Sequence, residues 1–226
     1  MYSQTKIAIP IFKKDEESII KEAKNCIQKG ADLIELRIDG INNPTPQMVR
    51  KIIEEINFPI IATNRVQSEG GSFKGSEEER INILLETIDV AKYVDIELQT
   101  NPDLIKQVNK GKAKTIISYH DFQKTPNLDD LLDIVNREHD LGDIAKVALM
   151  PNDLEDTLTV LAILSHCENT IAISMGDIGS YTRVIASKFD APITFAVSND
   201  VTAPGQIDVE TMKQLLNLDI MDIDNL

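Results

Sequence analysis

The sequence predicts a single-domain α/β protein with the (β/α)8 barrel fold, the TIM barrel, over residues 1–226. Eight short apolar segments typical of buried strands alternate with segments of helical periodicity, and eight such units in 226 residues are typical of this barrel. An open doubly wound sheet is the alternative, but its first strand is usually followed by a glycine-rich fingerprint. The segment from Ile9 to Lys13 contains no glycine, so the pattern favours the barrel.

The individual elements follow from local signals. Apolar runs predict strands at 5–11, 32–38, 60–64, 93–98, 114–120, 144–149, 170–174 and 192–197. Helix starts are predicted where a cap residue precedes proline or where a polar cap is followed by glutamate, at Thr45-Pro46, Ser76/Glu79, Thr125-Pro126 and Asn152/Glu155. Gly30 is expected to end the first helix, and the last helix is expected at 208–216. Residues 176–180 are expected to form a loop that enters a helix at Ser180.

Composition and charge exclude several classes of partner. The chain has 23 basic and 37 acidic residues and a formal charge of −14, which argues against nucleic acid and anionic membranes but allows a small anionic substrate. No run of 18 apolar residues is present, and the N-terminal residues lack the apolar region of a signal peptide, so the expected compartment is the cytoplasm. Cys26 and Cys167 lack metal or redox spacing and are expected to be reduced.

One lysine lies in the middle of an apolar strand. Lys146 is flanked by Ile144-Ala145 and Val147-Ala148, a segment that is expected to be buried on both faces. Burial disfavours the charged form of an amine, and a neutral amine can form a Schiff base with a ketone or aldehyde. Two structural explanations stand beside this one, because the side chain could extend to solvent or pair with a carboxylate of a neighbouring strand.

Period-two alternation identifies the side chains that share the barrel interior with this lysine. Five successive strands are expected to direct polar or ionisable groups inward: Glu35, Arg37, Thr63, Arg65, Asp95, Glu97, Ser118, His120 and Lys146. A buried salt-bridge layer is one explanation. The other is an active site, because an amine, a histidine base and cationic anion binders, with Glu69 close in sequence to Arg65, are the groups that a Schiff-base lyase needs.

Six segments together resemble type I 3-dehydroquinate dehydratase, and they occur in the family's order from the first strand to the last helix. They are DLIELRID at 32–39, RVQSEGG at 65–71, SYHDF at 118–122, AKVA at 145–148, SMG at 174–176 continuing to Arg183, and APGQ at 203–206. The resemblance implies a (β/α)8 barrel, no metal or organic cofactor, and a homodimer. It also implies conversion of 3-dehydroquinate to 3-dehydroshikimate and water in the shikimate pathway through a lysine imine.

The resemblance also implies roles for individual residues. Lys146 corresponds to the Schiff-base lysine, His120 to the general acid and base, and Glu69 to the carboxylate that orients the histidine. Arg183 corresponds to the residue that grips the substrate carboxylate. The remaining substrate-binding positions comprise groups for the ring hydroxyls, apolar walls, and a threonine where bacterial members often have serine: Glu35, Arg37, Arg65, Gln206, Met175, Phe195 and Thr202.

Three other functions remain open at this point. A class I aldolase or transaldolase also uses a barrel lysine, and the turn at 176–180 could hold the phosphate of a sugar phosphate. A metal-dependent isomerase could use Asp95, Glu97 and His120, although carboxylates at i and i+2 of a strand are more often partners of arginine. A non-catalytic ligand sensor is the third alternative, but a sensor does not need a reactive lysine beside a base.

Overall fold

The computed structural model describes residues 5–198 and 205–217, and it confirms the predicted barrel. Eight parallel strands form one sheet in the order β7-β6-β5-β4-β3-β2-β1-β8. The strands are β1 Lys6–Ile11, β2 Leu33–Arg37, β3 Ile60–Thr63, β4 Tyr93–Glu97, β5 Lys114–Asp121, β6 Ile144–Leu149, β7 Thr170–Ser174 and β8 Ile193–Phe195. Within the described ranges β7 and β8 are not paired by ladder hydrogen bonds, so the barrel is nearly closed.

Helices follow the strands and cover the outside of the sheet. They are α1 Glu16–Gln28, α2 Pro46–Ile56, α3 Glu77–Leu85, α4 Pro102–Val108, α5 Leu128–Leu141, α6 Leu154–His166, α7 Gly176–Gly179, α8 Thr182–Ile185 and α9 Val209–Asn217. Short 3-10 turns lie at Ile38–Gly40, Gln67–Glu69 and Ala186–Phe189. In 5–198 and 205–217 no helix is long and apolar enough to cross a membrane.

Three of the helix signals are confirmed. The Thr45 side chain accepts a hydrogen bond from the Met48 amide, and proline occupies the first position of α2. At α3, Ser76 and Glu79 form a reciprocal capping box. After α1, Gly30 adopts a φ of 94°, a left-handed conformation that glycine reaches without steric cost.

Two helix starts are wrong by one or two residues, and one expected loop is helical. Asn127 caps α5 through the Asp130 amide, because Pro126 belongs to the turn before the cap. Asp153 caps α6 through the Asp156 amide, so the cap lies one residue after Asn152. The segment expected to be a loop before Ser180 forms the single helical turn α7.

The core has layers on both sides of the sheet. Alternate strand residues such as Ile34, Leu36 and Ile60 pack outward against the helices, whereas Leu33, Ile61 and Ile116 pack with other inward residues inside the barrel. These large side chains are almost completely removed from water, and each such burial contributes about 1.5–3 kcal/mol. The inward positions closer to the strand ends carry the polar groups, so the apolar layer forms the floor of a polar site.

Candidate active site

Lys146 lies on the inner face of β6 and is 4% exposed. Its Nζ donates to Asp95 Oδ2 at 2.8 Å and lies 3.8 Å from Glu35 Oε1. The same nitrogen lies 4.6 Å from the centre of the Phe195 ring, which is close enough for a cation–π interaction. The lysine therefore sits between two carboxylates and an aromatic ring.

Arg65 links the carboxylates of β4. Its Nη1 donates to Glu97 at 2.9 Å and to Ser118 Oγ at 2.7 Å, and its Nη2 donates to Asp95 at 2.8 Å. Burial alone raises the pKa of Asp95, but the positive charges of Arg65 and Lys146 outweigh it and hold that pKa below the usual value. Asp95 is therefore an anion that joins Arg65 to the lysine.

His120 and Glu69 form a buried pair above the lysine. His120 Nδ1 lies 2.9 Å from Glu69 Oε2, and the His120 backbone N–H donates to the same oxygen at 3.1 Å. Burial raises the pKa of Glu69 to about 7. Burial lowers the pKa of His120 well below its usual value, and the nearby charges of Arg65 and Lys146 lower it further. The imidazole is therefore neutral near pH 7 and able to accept a proton.

The strand register explains why the histidine and the lysine meet. In the β5–β6 pair Ser118 is opposite Lys146 and His120 is opposite Ala148. His120 therefore stands one inward position above the lysine, because side chains two residues apart share a face. Glu69 reaches the histidine from the 3-10 turn that follows β3.

Arg183 on α8 is a cation without a carboxylate partner among the residues that the structure describes. Its Nε is buried and makes no hydrogen bond to any described residue, and burial lowers the pKa of the guanidinium to about 10. The Thr194 hydroxyl on β8 donates to the Arg183 carbonyl and so ties this turn to the barrel. A half-buried guanidinium whose Nε–H lacks an acceptor among the described residues is suited to an anionic ligand, because a carboxylate would supply that acceptor.

Arg37 is placed differently from the other inward groups. It forms a two-bond ion pair with Asp39, in which both distances are 2.8 Å, and it lies over the exposed ring of Phe12. Asp39 also accepts from the backbone amides of Arg65 and Ser72, so it fastens the segment after β3 to the end of β2. Sequence reasoning assigned no role to Asp39, although it lies inside the DLIELRID segment.

Of the other predicted substrate-binding residues, the structure describes Met175 and Gln206. Met175 packs against the apolar cluster of the barrel interior, to which Phe195 also belongs. Gln206 is half-buried and follows Gly205, whose backbone contacts the Gly176 carbonyl so closely that a Cβ atom would lie 2.0 Å from that oxygen. Thr202 lies outside the described residues.

The carboxylates that a metal-dependent isomerase would need are bound by arginines. Asp95 and Glu97 pair with Arg65, and Glu97 also pairs with Arg80. Over 5–198 and 205–217 no group of three or more His, Cys, Asp or Glu residues is arranged to hold a metal ion. The donor set therefore suits a salt-bridge network and not a metal centre.

Two buried residues of this region were missed by sequence reasoning. Arg80 is hidden in the acidic start of α3, where three glutamates precede it. Glu138 is a completely buried residue of α5 whose side-chain oxygens make no hydrogen bond among the described residues. Helical spacing could have indicated both, because Arg80 lies four positions before the core residue Leu84 and Glu138 lies three positions after Val135.

The described residues place a buried lysine, a histidine–glutamate pair and an arginine without a described carboxylate partner beside the strand ends of a (β/α)8 barrel. Enzymes of this fold have their active sites at that end, so the protein falls in the class of (β/α)8 enzymes. The sequence model of the type I 3-dehydroquinase family matches residues 7–223, so the chain belongs to this family. It is a hydro-lyase that converts 3-dehydroquinate to 3-dehydroshikimate in the shikimate pathway, and the lysine imine is a general property of the type I family.

Individual relatives agree with this assignment. The chain is 67% identical over 220 residues to the 3-dehydroquinate dehydratase of Methanobrevibacter smithii, covering 97% of this chain and 98% of the relative. A crystal structure of the type I enzyme from Clostridium difficile with covalently modified comenic acid has a TM-score of 0.89 at 29% identity and covers 96% and 92% of the two chains. The Aquifex aeolicus enzyme has a TM-score of 0.84 at 31% identity and covers 93% and 97%. The comparisons therefore favour the dehydratase over the aldolase, isomerase and sensor alternatives.

Proposed function

We propose that Lys146 forms the imine with 3-dehydroquinate, that His120 is the general acid and base, and that Glu69 orients His120. The position of Lys146 carries this proposal, because it is a buried amine on the inner face of the barrel beside a neutral imidazole. Only a neutral amine attacks a carbonyl. The ammonium paired with Asp95 must therefore lose a proton first, and His120 is a base whose pKa already responds to the charge of Lys146.

The steps follow from these positions. Neutral Lys146 attacks the C3 ketone, and His120 transfers the protons needed to expel the first water and leave an iminium. His120 then removes a C2 proton, and the resulting enamine expels the C1 hydroxyl, which takes a proton from His120 and leaves as water. One water hydrolyses the product imine, so that the net change is the loss of one water and the return of the free amine.

Arg183 binds the substrate carboxylate in this proposal. The residue is half-buried with its Nε removed from solvent, and no carboxylate pairs with it in the described part of the chain. A guanidinium can hold a carboxylate by two parallel hydrogen bonds, whereas lysine would supply a single point charge. The Thr194 hydroxyl of β8 donates to the Arg183 carbonyl, so the backbone of Arg183 is held in place relative to the barrel.

The ring of the substrate is held by the remaining positions. Within the described part of the chain Arg65 directs three of its five N–H groups to Asp95, Glu97 and Ser118, which leaves donor capacity for a ring hydroxyl. Glu35 accepts from the Thr63 hydroxyl and retains acceptor capacity. We propose that Glu35, Arg37, Arg65 and Gln206 bind the ring hydroxyls and that Thr202 donates a hydrogen bond to the substrate. Met175 and Phe195 form the apolar walls of the pocket in this proposal.

Borohydride reduction tests the lysine. Borohydride should inactivate the enzyme only when 3-dehydroquinate is present, and peptide mass analysis should locate the adduct on Lys146. Lys146→Met should abolish trapping, whereas the control Lys114→Met, which removes an exposed lysine of β5, should not. An adduct on another lysine, or turnover without any adduct, would show that the assignment is wrong.

Substitution of Arg183 tests the clamp separately. Arg183→Ala should raise KM by roughly ten-fold or more, because a hydrogen bond to a charged group contributes ~1.5–3 kcal/mol. Arg183→Lys should recover part of this loss, since the charge returns without the paired geometry. An unchanged KM for Arg183→Ala would refute the clamp.

We also propose that the chain forms a homodimer through α6 and α7. Leu154, Leu158 and Ile178 are 61%, 57% and 49% exposed, and the two helices that carry them pack against each other. Exposed apolar residues grouped on one face are typical of protein interfaces. Leu158→Glu should shift the mass measured by light scattering from dimer to monomer, while Gln107→Glu, an equal charge change on α4, should leave it unchanged. A wild-type monomer would exclude the proposal.

The remaining proposals concern extent and compartment. We propose that residues 1–226 form one catalytic domain, which is supported by a family match that extends over 7–223. We propose a cytoplasmic location, which is supported by two free cysteines, Cys26 and Cys167, because reduced thiols persist in that compartment. Fractionation of the native cells would test the location.

A further inference from the structure

Arg80 is a buried arginine of α3 that has no assigned role in the reaction. Its side chain is 1% exposed and uses all five of its N–H donors. Two of them bind Glu77 at 2.7 and 2.8 Å, and the others reach the Asn64 carbonyl at 3.0 Å, Glu97 at 2.7 Å and the Thr100 hydroxyl at 3.0 Å. Arg80 thus joins α3 to the ends of β3 and β4, which carry the site.

The contact with Glu97 connects Arg80 to the lysine. One Glu97 oxygen accepts from Arg80, and the other accepts from Arg65 at 2.9 Å. Arg65 then binds one oxygen of Asp95 at 2.8 Å, and the other Asp95 oxygen accepts from Lys146 at 2.8 Å. The result is a row of alternating buried charges, which we call the charge row: Arg80, Glu97, Arg65, Asp95 and Lys146.

The fully buried charges of the row and its neighbours are balanced. Glu35 faces Lys146 from β2, so the three buried carboxylates Glu35, Asp95 and Glu97 are matched by Arg65, Arg80 and Lys146, whereas Glu77, which also pairs with Arg80, is 38% exposed. The other charged or titratable groups around the row are Arg37 on β2, Glu69 after β3, His120 on β5 and Glu138 on α5. Removing Arg80 would leave one surplus negative charge in a buried network, where screening by solvent is weak.

Stability alone is a poor explanation for Arg80. A buried ion pair is often no more stabilising than apolar side chains of the same volume, because both charges must be taken out of water. Arg80 is buried on α3 together with Leu84, which lies four residues further along the same face of the helix, so an apolar side chain at this position would have an apolar neighbour. The charge is therefore retained at a place where it influences Glu97.

We propose that Arg80 is a positioning residue for the dehydratase reaction, which holds Glu97 and thereby Arg65 and Asp95, and which limits the negative charge that opposes deprotonation of the Lys146 ammonium. This inference rests on the proposed role of Lys146. It predicts a change in the pH dependence of imine formation when the charge of Arg80 is lost. A residue with a purely structural role would change thermal stability without moving that profile.

The test is single-turnover borohydride trapping of Lys146 as a function of pH. The acid limb of the profile is the pH range in which the trapping rate falls as pH is lowered. Arg80→Met should move this limb to higher pH by about half a unit or more, since one buried positive charge is lost. It should lower kcat more than it raises KM. Arg80→Lys keeps the charge and should leave the limb in place, with a smaller loss of kcat. The control Arg50→Met removes a partly exposed arginine of α2 and should move nothing.

Glu97→Gln is the second arm, because it removes the opposite charge from the same link. Its acid limb should move to lower pH, and this arm decides the question if Arg80→Met does not fold. A wild-type enzyme without a Lys146 adduct would refute the proposed function itself. A wild-type adduct together with an unmoved limb in the folded variants would overturn only the role of Arg80.

Discussion

Glu69→Gln removes the ionisable partner of His120 while keeping its shape. In the structure one Glu69 oxygen faces both the Nδ1 and the backbone N–H of His120, at 2.9 and 3.1 Å, and burial raises the carboxyl pKa to about 7. Below that pH the carboxyl holds a proton and donates it to Nδ1, which leaves the outer nitrogen protonated and unable to act as a base. Above it the carboxylate accepts from Nδ1–H, and the outer nitrogen is free to accept.

The expected changes in kcat/KM and in the maximal rate follow from the titration of Glu69 and from the strength of its hydrogen bond to His120. On the acid side of pH ~7, kcat/KM of the wild type should fall by about ten-fold per pH unit, because the active form requires one deprotonation. In Glu69→Gln this step should disappear. The maximal rate should fall by about 5- to 30-fold, since a hydrogen bond to a charged group (~1.5–3 kcal/mol) is replaced by a neutral one that is ~1–2 kcal/mol weaker.

The assay is kcat/KM from initial rates of product formation over the range of about pH 5.5–9, in which both flanks of the step are accessible. Glu78→Gln is the matched control, because Glu78 is an exposed residue of α3. Its profile should coincide with that of the wild type. A step near pH 7 that persists in Glu69→Gln would refute the assignment of that titration to Glu69.

Three further variants test the surroundings of the site. Glu138 is fully buried, and burial raises its pKa well above 4.5. The folded protein therefore loses stability as pH rises above about 4.5, because the unfolded chain can ionise this carboxyl more easily. Glu138→Met should raise the Tm measured by calorimetry by roughly 2–6 °C near pH 8 and by less near pH 5. Equal changes at both pH values would contradict this. Gly205→Ala places a Cβ against the Gly176 carbonyl at a φ of 78° and should raise KM several-fold, and an unchanged KM would show that this turn does not position substrate-binding groups. Phe195→Leu removes the ring that lies 4.6 Å from Lys146 Nζ and should lower the yield of the borohydride-trapped imine by about 2- to 5-fold, because the cation–π contact with the iminium is lost; an unchanged yield would exclude that contribution.

The fold could be predicted because its signals are local and periodic. Alternation of apolar residues located β2 within one residue at each end, and the Ser76/Glu79 pair fixed the start of α3. The errors have the same origin. The Thr125-Pro126 pair satisfies the rule for a helix start, but proline is equally suited to the preceding turn, and Asn127 offers the better cap.

The site could be predicted only in part, since alternation gives a face and not a partner. It placed Arg65, Asp95 and Lys146 on the inner face, and their hydrogen bonds to one another agree with that. It could not indicate that Arg37 turns to Asp39, because both residues lie at the rim, where the strand ends and the period no longer applies. Arg80 was missed because a charged residue in an acidic helix start is normally solvated.

The surroundings of Lys146 suit the covalent intermediate better than the attacking amine. Asp95 at 2.8 Å, Glu35 at 3.8 Å and the Phe195 ring at 4.6 Å all favour a positive charge on Nζ, which opposes formation of the neutral nucleophile. On the proposed roles, the iminium carries a positive charge at the same nitrogen, so these contacts stabilise it after the carbonyl has reacted. The resting ammonium carries its charge at the same nitrogen, so these contacts stabilise both cations and disfavour only the neutral amine that forms between them. The neutral imidazole of His120 then has a defined role at the start of the reaction, which is to accept the proton that the Lys146 ammonium must lose before it attacks the carbonyl.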